Sequence, residues 1–180
     1  LRCPPVSVTT LPPAAGARVI DLARAAMVTR QRGLDAFSYG DPHDVRMVDC
    51  GDGLAFACIG LLTERRLMLE AVYACLTLKN GVPIGYHQSD MIGSTAAVSF
   101  NTFETFRGAE SAYVFARLLA TLRALFSCTS FSIEPYQLGD GNDEGIASGA
   151  WWFYYKLGFR PRARAAKLRV AAETARLRKD

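Results

Sequence analysis

Histidine is scarce in this chain of 180 residues: only His43 and His87 occur. The five cysteines, Cys3, Cys50, Cys58, Cys75 and Cys128, are odd in number and none stands in a C-x-x-C spacing. Together these shortages argue against a zinc site and against a disulfide framework. Cys58, Cys75 and Cys128 lie in apolar stretches and read as small core residues, which points to a reducing compartment and a cytoplasmic location. No apolar run approaches the roughly 18 residues a membrane span needs, so no membrane partner is expected. No charged-then-apolar leader opens the chain. A dinucleotide fingerprint is missing too, because Gly51-x-Gly53 is too short and no helix pattern follows it. The chain starts at Leu1 and closes at Asp180 inside a helical pattern, the expectation for a piece of a longer protein.

What is present is a globular composition, half hydrophobic and 21% charged, with length enough for one domain and a sizeable core. The net charge of +4 is unevenly spread. Residues 160–180 hold eight Lys or Arg and two acids, which leaves the rest of the chain slightly acidic. That tail reads as a basic helix over 163–179. It has no interleaved aromatic residues, so a solvated face is expected there rather than nucleic-acid binding.

Residues 1–13 carry four of the eight prolines and no period, the pattern of a linker. Residues 14–32 place Val19, Leu22, Ala23, Ala26 and Met27 on one helical face. A polar loop over 39–44 contains His43, which reads either as a base held by Asp41 or Asp44 or as a plain surface residue; the second suits its proline-flanked position. Residues 45–50 and 54–62 are β-rich around Gly51-Asp52-Gly53, a hairpin signal. Two more strands, 71–79 and 82–88, flank Asn80-Gly81, and His87 reads as a strand-face side chain. A further turn over 90–94 leads to a strand over 96–103, so these three strands form an antiparallel meander.

The chain is organised around residues 95–126. Alternation over 96–103 gives way at Phe106-Arg107-Gly108-Ala109 to helical spacing through Ala112, Phe115, Leu119, Leu122 and Phe126, with Glu110, Arg117 and Thr121 as a thin polar stripe. A helix with so narrow a polar face is mostly buried. Its first N–H groups lack internal partners and Arg107 precedes them, so this corner suits an anion. The remaining sequence reads as a strand over 129–135, a Gly-rich loop over 136–143, a helix over 143–156 ended by Gly158, and the basic helix. On the 143–156 helix, Ile146, Ala150, Phe153 and Leu157 share a core side. Trp151, Trp152 and Tyr155 fall opposite, to be covered by the C-terminal helix, absent chain or a protein partner.

Over residues 71–162 this order resembles the GNAT superfamily of acyl-CoA N-acyltransferases. Ala150-Trp151-Trp152-Phe153-Tyr154-Tyr155-Lys156-Leu157-Gly158-Phe159 is similar to that family's A-x-x-(L/F)-Y-x-K-x-G-F ending, and Phe106-Arg107-Gly108 to its Y-R-G. The resemblance implies an α+β domain over 14–162, a mixed, mostly antiparallel sheet flanked by helices. It implies acetyl-CoA or another acyl-CoA as co-substrate and a small-molecule or peptide amine as acceptor. It implies that Arg107, Gly108, Ala109, Ser111 and Ala112 bind pyrophosphate, that the strand edge from Asn101 to Phe103 pairs with the pantetheine arm, and that Tyr154 acts as general acid. Glu104 is the best-placed base, with Glu134 next. Two positions depart from the pattern: Glu110 replaces a loop glycine, putting a carboxylate where a pyrophosphate would lie, and Ala147 stands where the family has Asn. These departures keep open a non-catalytic binding module of the same fold.

Overall fold

A computed structural model describes residues 3–28, 35–106, 108 and 110–177. The protein is mixed α/β, built on an open sheet of seven strands in chain order: β1 (Ser7–Thr10), β2 (Gly40–Asp49), β3 (Leu54–Leu61), β4 (Ala71–Lys79), β5 (Val82–Ile92), β6 (Thr95–Thr102) and β7 (Ser130–Ser132). Strands β1 to β6 pair antiparallel, each with the next. The turns that make this possible carry the residues able to adopt positive φ. Asn80 and Gly81 stand at φ 50° and 79°, the two left-handed positions of a tight hairpin, and Gly51, Asp52 and Gly53 are all left-handed as well. Two polar stretches of the chain are strands rather than loops. β1 lies within the proline-rich segment, and all four of its residues are exposed. β2 begins at Gly40 inside the polar stretch 39–44, with a register shift between Gly40 and Val45 that absorbs Pro42.

β6 is followed by the helix α3 (Ser111–Phe126), after which the Thr129 and Ser130 N–H groups both donate to the Ser94 carbonyl. β7 therefore starts beside the start of β6, as in a parallel pair joined by a helical crossover. The predicted strand over 129–135 shrinks to three residues.

The sheet has two different faces. On one, Ala57, Ile59, Leu76 and Tyr86 pack with Ile20, Ala23 and Met27 of α1 (Pro13–Val28) and Phe37 of α2 (Asp35–Ser38). The predicted helix over 14–32 is thus borne out to Val28; residues 29–34 lie outside those described. Period-two alternation turns Phe56, Cys58, Cys75, Thr77, His87 and Ser89 to the other face, all buried. There α3 lies across the strands, with Phe115 against Phe100 at 5.1 Å and Phe126 against Tyr73 at 4.5 Å between ring centres. The helix is buried along one face rather than over most of its surface, with Ala112 exposed, and two residues of the expected polar stripe, Arg117 and Thr121, turn inward. Arg117 donates to the carbonyls of Cys3, Pro4 and Cys50, and the Thr121 hydroxyl lies 3.7 Å from Cys50 Sγ. A buried guanidinium is tolerable because those three carbonyls replace its water.

The chain divides into two compact units, Leu1–Phe131 and Ser132–Asp180. In the second, the predicted single helix over 143–156 is two: α4 (Asp143–Ala147) and α5 (Ala150–Lys156), broken at Gly149 with φ 74°. Asn142 caps α4 by accepting from the Gly145 N–H at 2.8 Å. The break resets the helical phase, so the buried face differs from the expected one. Trp151 and Tyr154 are buried, while Ala150 is exposed and Phe153 and Leu157 are half-buried. Trp151 packs with Ile146 and with Val170 of α6 (Arg164–Leu177), and Trp152 and Tyr155 rest against that cluster. The C-terminal helix thus supplies cover for the three aromatics. Among the described residues, no helix is long and apolar enough to cross a membrane.

Candidate functional site

The first unit contains a cavity of about 260 Å³ at the corner where β4 and β6 end and β5 and α3 begin. Its inner wall holds Thr77, Phe100 and Val114, and its mouth holds Lys79, Phe106 and Glu110. Each position follows from local structure. Thr77 and Lys79 alternate with Cys75 on the α3-facing side of β4, just before the Asn80-Gly81 turn. Gly85 keeps β5 close to β6, since a Cβ there would come within 2.4 Å of the Asn101 carbonyl oxygen. Phe106 sits in a short 3-10 turn, Glu104–Phe106, that carries the chain from sheet to helix.

Of the residues expected to bind cofactor, the cavity contains Asn101 and Ser111. The Asn101 amide donates to the Tyr86 hydroxyl at 3.2 Å, which fixes its orientation. Ser111 opens α3 and its N–H donates to the Gly108 carbonyl at 3.2 Å. Gly108 and Ala112 are exposed at the same corner. Arg107 and Ala109 lie outside the described residues. Phe103 is turned away: it is buried with Tyr86, ring centres 5.9 Å apart, in the core under α1 and α2. Along β6, the three-residue β7 is too short to pair beyond the early part of the eight-residue strand.

Glu110 lies at the N-cap of α3 but makes no capping hydrogen bond with its side chain. Instead its Oε2 lies 3.9 Å from Lys79 Nζ, at the cavity mouth, with the carboxylate largely exposed. The carboxylate therefore does not fold back over the first amides of the helix. An exposed pair at that distance is worth at most about 1 kcal/mol, so an incoming anion can displace it.

Glu104, the proposed base, is not among the residues that line the cavity. It is exposed, in the turn after β6. Tyr154 belongs to the second unit, buried on α5 with its ring 5.0 Å from Phe153 and 6.2 Å from Phe159. Burial pushes its phenol up to about 12, so it is protonated at neutral pH.

His43 is exposed, and it is its backbone N–H, not its ring, that donates to Asp41 Oδ1. The neighbouring carboxylates are spent on structure. Arg66 bridges Asp41 and Asp44, Arg46 also reaches Asp44, and the Tyr73 hydroxyl donates to Asp44 Oδ2 at 2.6 Å. Burial first, then the bond to Asp44 and its charge, push the Tyr73 phenol up to about 12. No group of three or more His, Cys, Asp or Glu among the described residues is placed to hold a metal ion.

Sequence reasoning did not single out Thr77, Lys79 or Gly85. The signal was available in Lys79, a cation closing an otherwise apolar strand next to an Asn-Gly turn and aligned with Thr77 on one face. No protein-family model matches this chain, and neither a curated protein nor a solved structure matches it.

Proposed function

We propose that this protein is an acyl-CoA-dependent N-acyltransferase with a GNAT-type fold, transferring an acyl group to an amine by direct attack. The observation that carries the reading is the corner cavity itself. A strand hands over to a helix there, the helix N-terminus is not capped by its own side chain, and Asn101, Ser111 and the cation of Lys79 surround the space. A helix N-terminus and a lysine suit the anionic end of coenzyme A. The apolar residues Val82, Ile84 and Val114 suit its uncharged arm.

In the reaction, the acceptor nitrogen attacks the thioester carbonyl, the C–N bond forms, the C–S bond breaks, and the amine loses a proton to a base or to solvent. The departing thiolate takes up a proton, and the family resemblance assigns its supply to Tyr154. Glu104, exposed and in the turn after β6, is the carboxylate assigned to the amine proton.

A second reading, a ligand-holding module without catalysis, draws on the same residues. A phenol at about 12 is a weaker acid than a thiol near ~8.5, so protonation of the thiolate by Tyr154 runs uphill. Glu110 adds a negative charge at the mouth. Calorimetric titration with acetyl-CoA, followed by release of free thiol in the presence of a panel of amines, separates the two. Binding with thiol release that Tyr154→Phe reduces by at least about a hundredfold supports the transferase. Binding without release supports the module. No heat and no thermal shift with millimolar acetyl-CoA removes both.

A further inference from the structure

Cys58 and Cys75 stand directly opposite each other on the antiparallel pair β3–β4. Both belong to the α3-facing side of the sheet and both are fully buried. The Cys75 thiol donates to Cys58 Sγ, with the two sulfurs 2.6 Å apart. Directly opposed residues of an antiparallel pair have Cα atoms about 4.5–5.5 Å apart, inside the ~4.4–6.8 Å window of a disulfide, so the backbone need not move to join them. The other three cysteines are placed differently. Cys50 Sγ lies 3.7 Å from the Thr121 hydroxyl, the Cys128 thiol donates to the Phe126 carbonyl, and Cys3 is exposed. Strand register therefore selects one pair out of five thiols.

We propose that Cys58 and Cys75 form a disulfide that staples β3 to β4. No sequence spacing announces this pair, since 17 positions separate its members and only the strand register brings them together. The inference is independent of the acyl-CoA reading. The oxidant is a small-molecule disulfide of the oxidised-glutathione class. One cysteine thiolate attacks it, releasing one glutathione thiol and leaving a mixed disulfide on the protein. The second cysteine thiolate then attacks the protein sulfur of that mixed disulfide, and the other glutathione thiol leaves. The two cysteines lose two electrons and two protons, and the two departing glutathiones gain them. Both sulfurs are out of solvent in the folded protein, so the exchange belongs to the chain before its burial is complete. The closed loop includes the exposed Leu67, Met68 and Leu69, and restricting it in the unfolded chain favours the folded one.

The test starts from the full chain unfolded in urea with reductant. It is refolded by dilution into mixed reduced and oxidised glutathione, and the remaining thiols are alkylated before digestion and mass spectrometry. One linked peptide pair is expected, Cys58 with Cys75, and the other three of the five cysteines are expected alkylated. The melting temperature should exceed that of protein refolded with reductant alone by roughly 5–10 °C. Cys75→Ala should abolish both the linked pair and this difference. If the alanine variant does not fold, the peptide map of the wild-type chain decides by itself. Five alkylated cysteines, glutathione adducts without a Cys58–Cys75 link, or a different linked pair overturns the inference.

Discussion

The two faces of the sheet are built from the same strands yet differ in kind. Under α1 and α2 the interior is mainly apolar: Ile20, Met27, Phe37, Ile59 and Leu76 meet there, and the hydroxyl of Tyr86 is paired with the Asn101 amide. Under α3 the same strands present Thr77, His87 and Ser89, whose polar atoms lack partners, beside a buried arginine and the corner cavity. One residue of register separates the two sets, since alternate positions on β4 and β5 point to opposite sides. The lesson is that one sheet carries a side built for dry packing and a side that keeps costly polar groups beside a cavity.

The contrast is broken most severely through acid. Burial among Phe56, Cys75 and Phe100 pushes the His87 imidazole down to about 3, whereas an unfolded histidine titrates near ~6.5. Between those values the unfolded chain binds the proton and the folded chain does not. Stability is therefore full above about pH 6.5 and falls by roughly 5 kcal/mol as pH is lowered toward 3. Urea unfolding at a series of pH values measures this, and His87→Phe should flatten the slope; an unchanged slope would show that other groups drive acid unfolding.

A slightly smaller loss is expected from the dry side. Phe37→Ala removes a ring 2% exposed and should cost about 4 kcal/mol at neutral pH, read from the denaturant midpoint. A loss below about 1 kcal/mol would mean the α1 and α2 layer collapses around the gap. The smallest effect is expected at the cavity mouth. Lys79→Met breaks the exposed pair with Glu110 and should change stability by no more than about 0.5 kcal/mol, while weakening acetyl-CoA binding in low salt more than in high salt. Salt-independent weakening would argue against an electrostatic role for Lys79.

The legible parts of this fold were those written by backbone chemistry. Asn80-Gly81 and Gly51-Asp52-Gly53 mark hairpins because those residues reach positive φ cheaply, and the meander follows from them. The long helix after β6 is equally plain in the 3.6-residue period of Phe115, Leu119, Leu122 and Phe126. β1 was hidden because its four residues bury nothing and so leave no alternation to read. The start of β2 was hidden by Pro42 and two aspartates, which only the register shift and the Arg66 bridges make compatible with a strand. The phase of the Trp151–Tyr155 segment was misread because Gly149 breaks the helix, and a glycine inside a periodic stretch does not announce its φ. At the candidate site, the strand-to-helix corner with Asn101 and Ser111 was visible in the sequence. The inner wall was not, because Thr77 is ordinary within its own strand and gains meaning only beside Phe100 and Val114.

The Arg117 clasp has a consequence for the order in which the chain is made. Neighbouring strands of the meander can zip as they emerge, each hairpin closing a short loop. The carbonyls of Cys3 and Pro4 wait for a guanidinium 114 and 113 residues later. During synthesis Cys3 and Pro4 therefore go without this contact until α3 has emerged, although β1 just after them can already pair with β2.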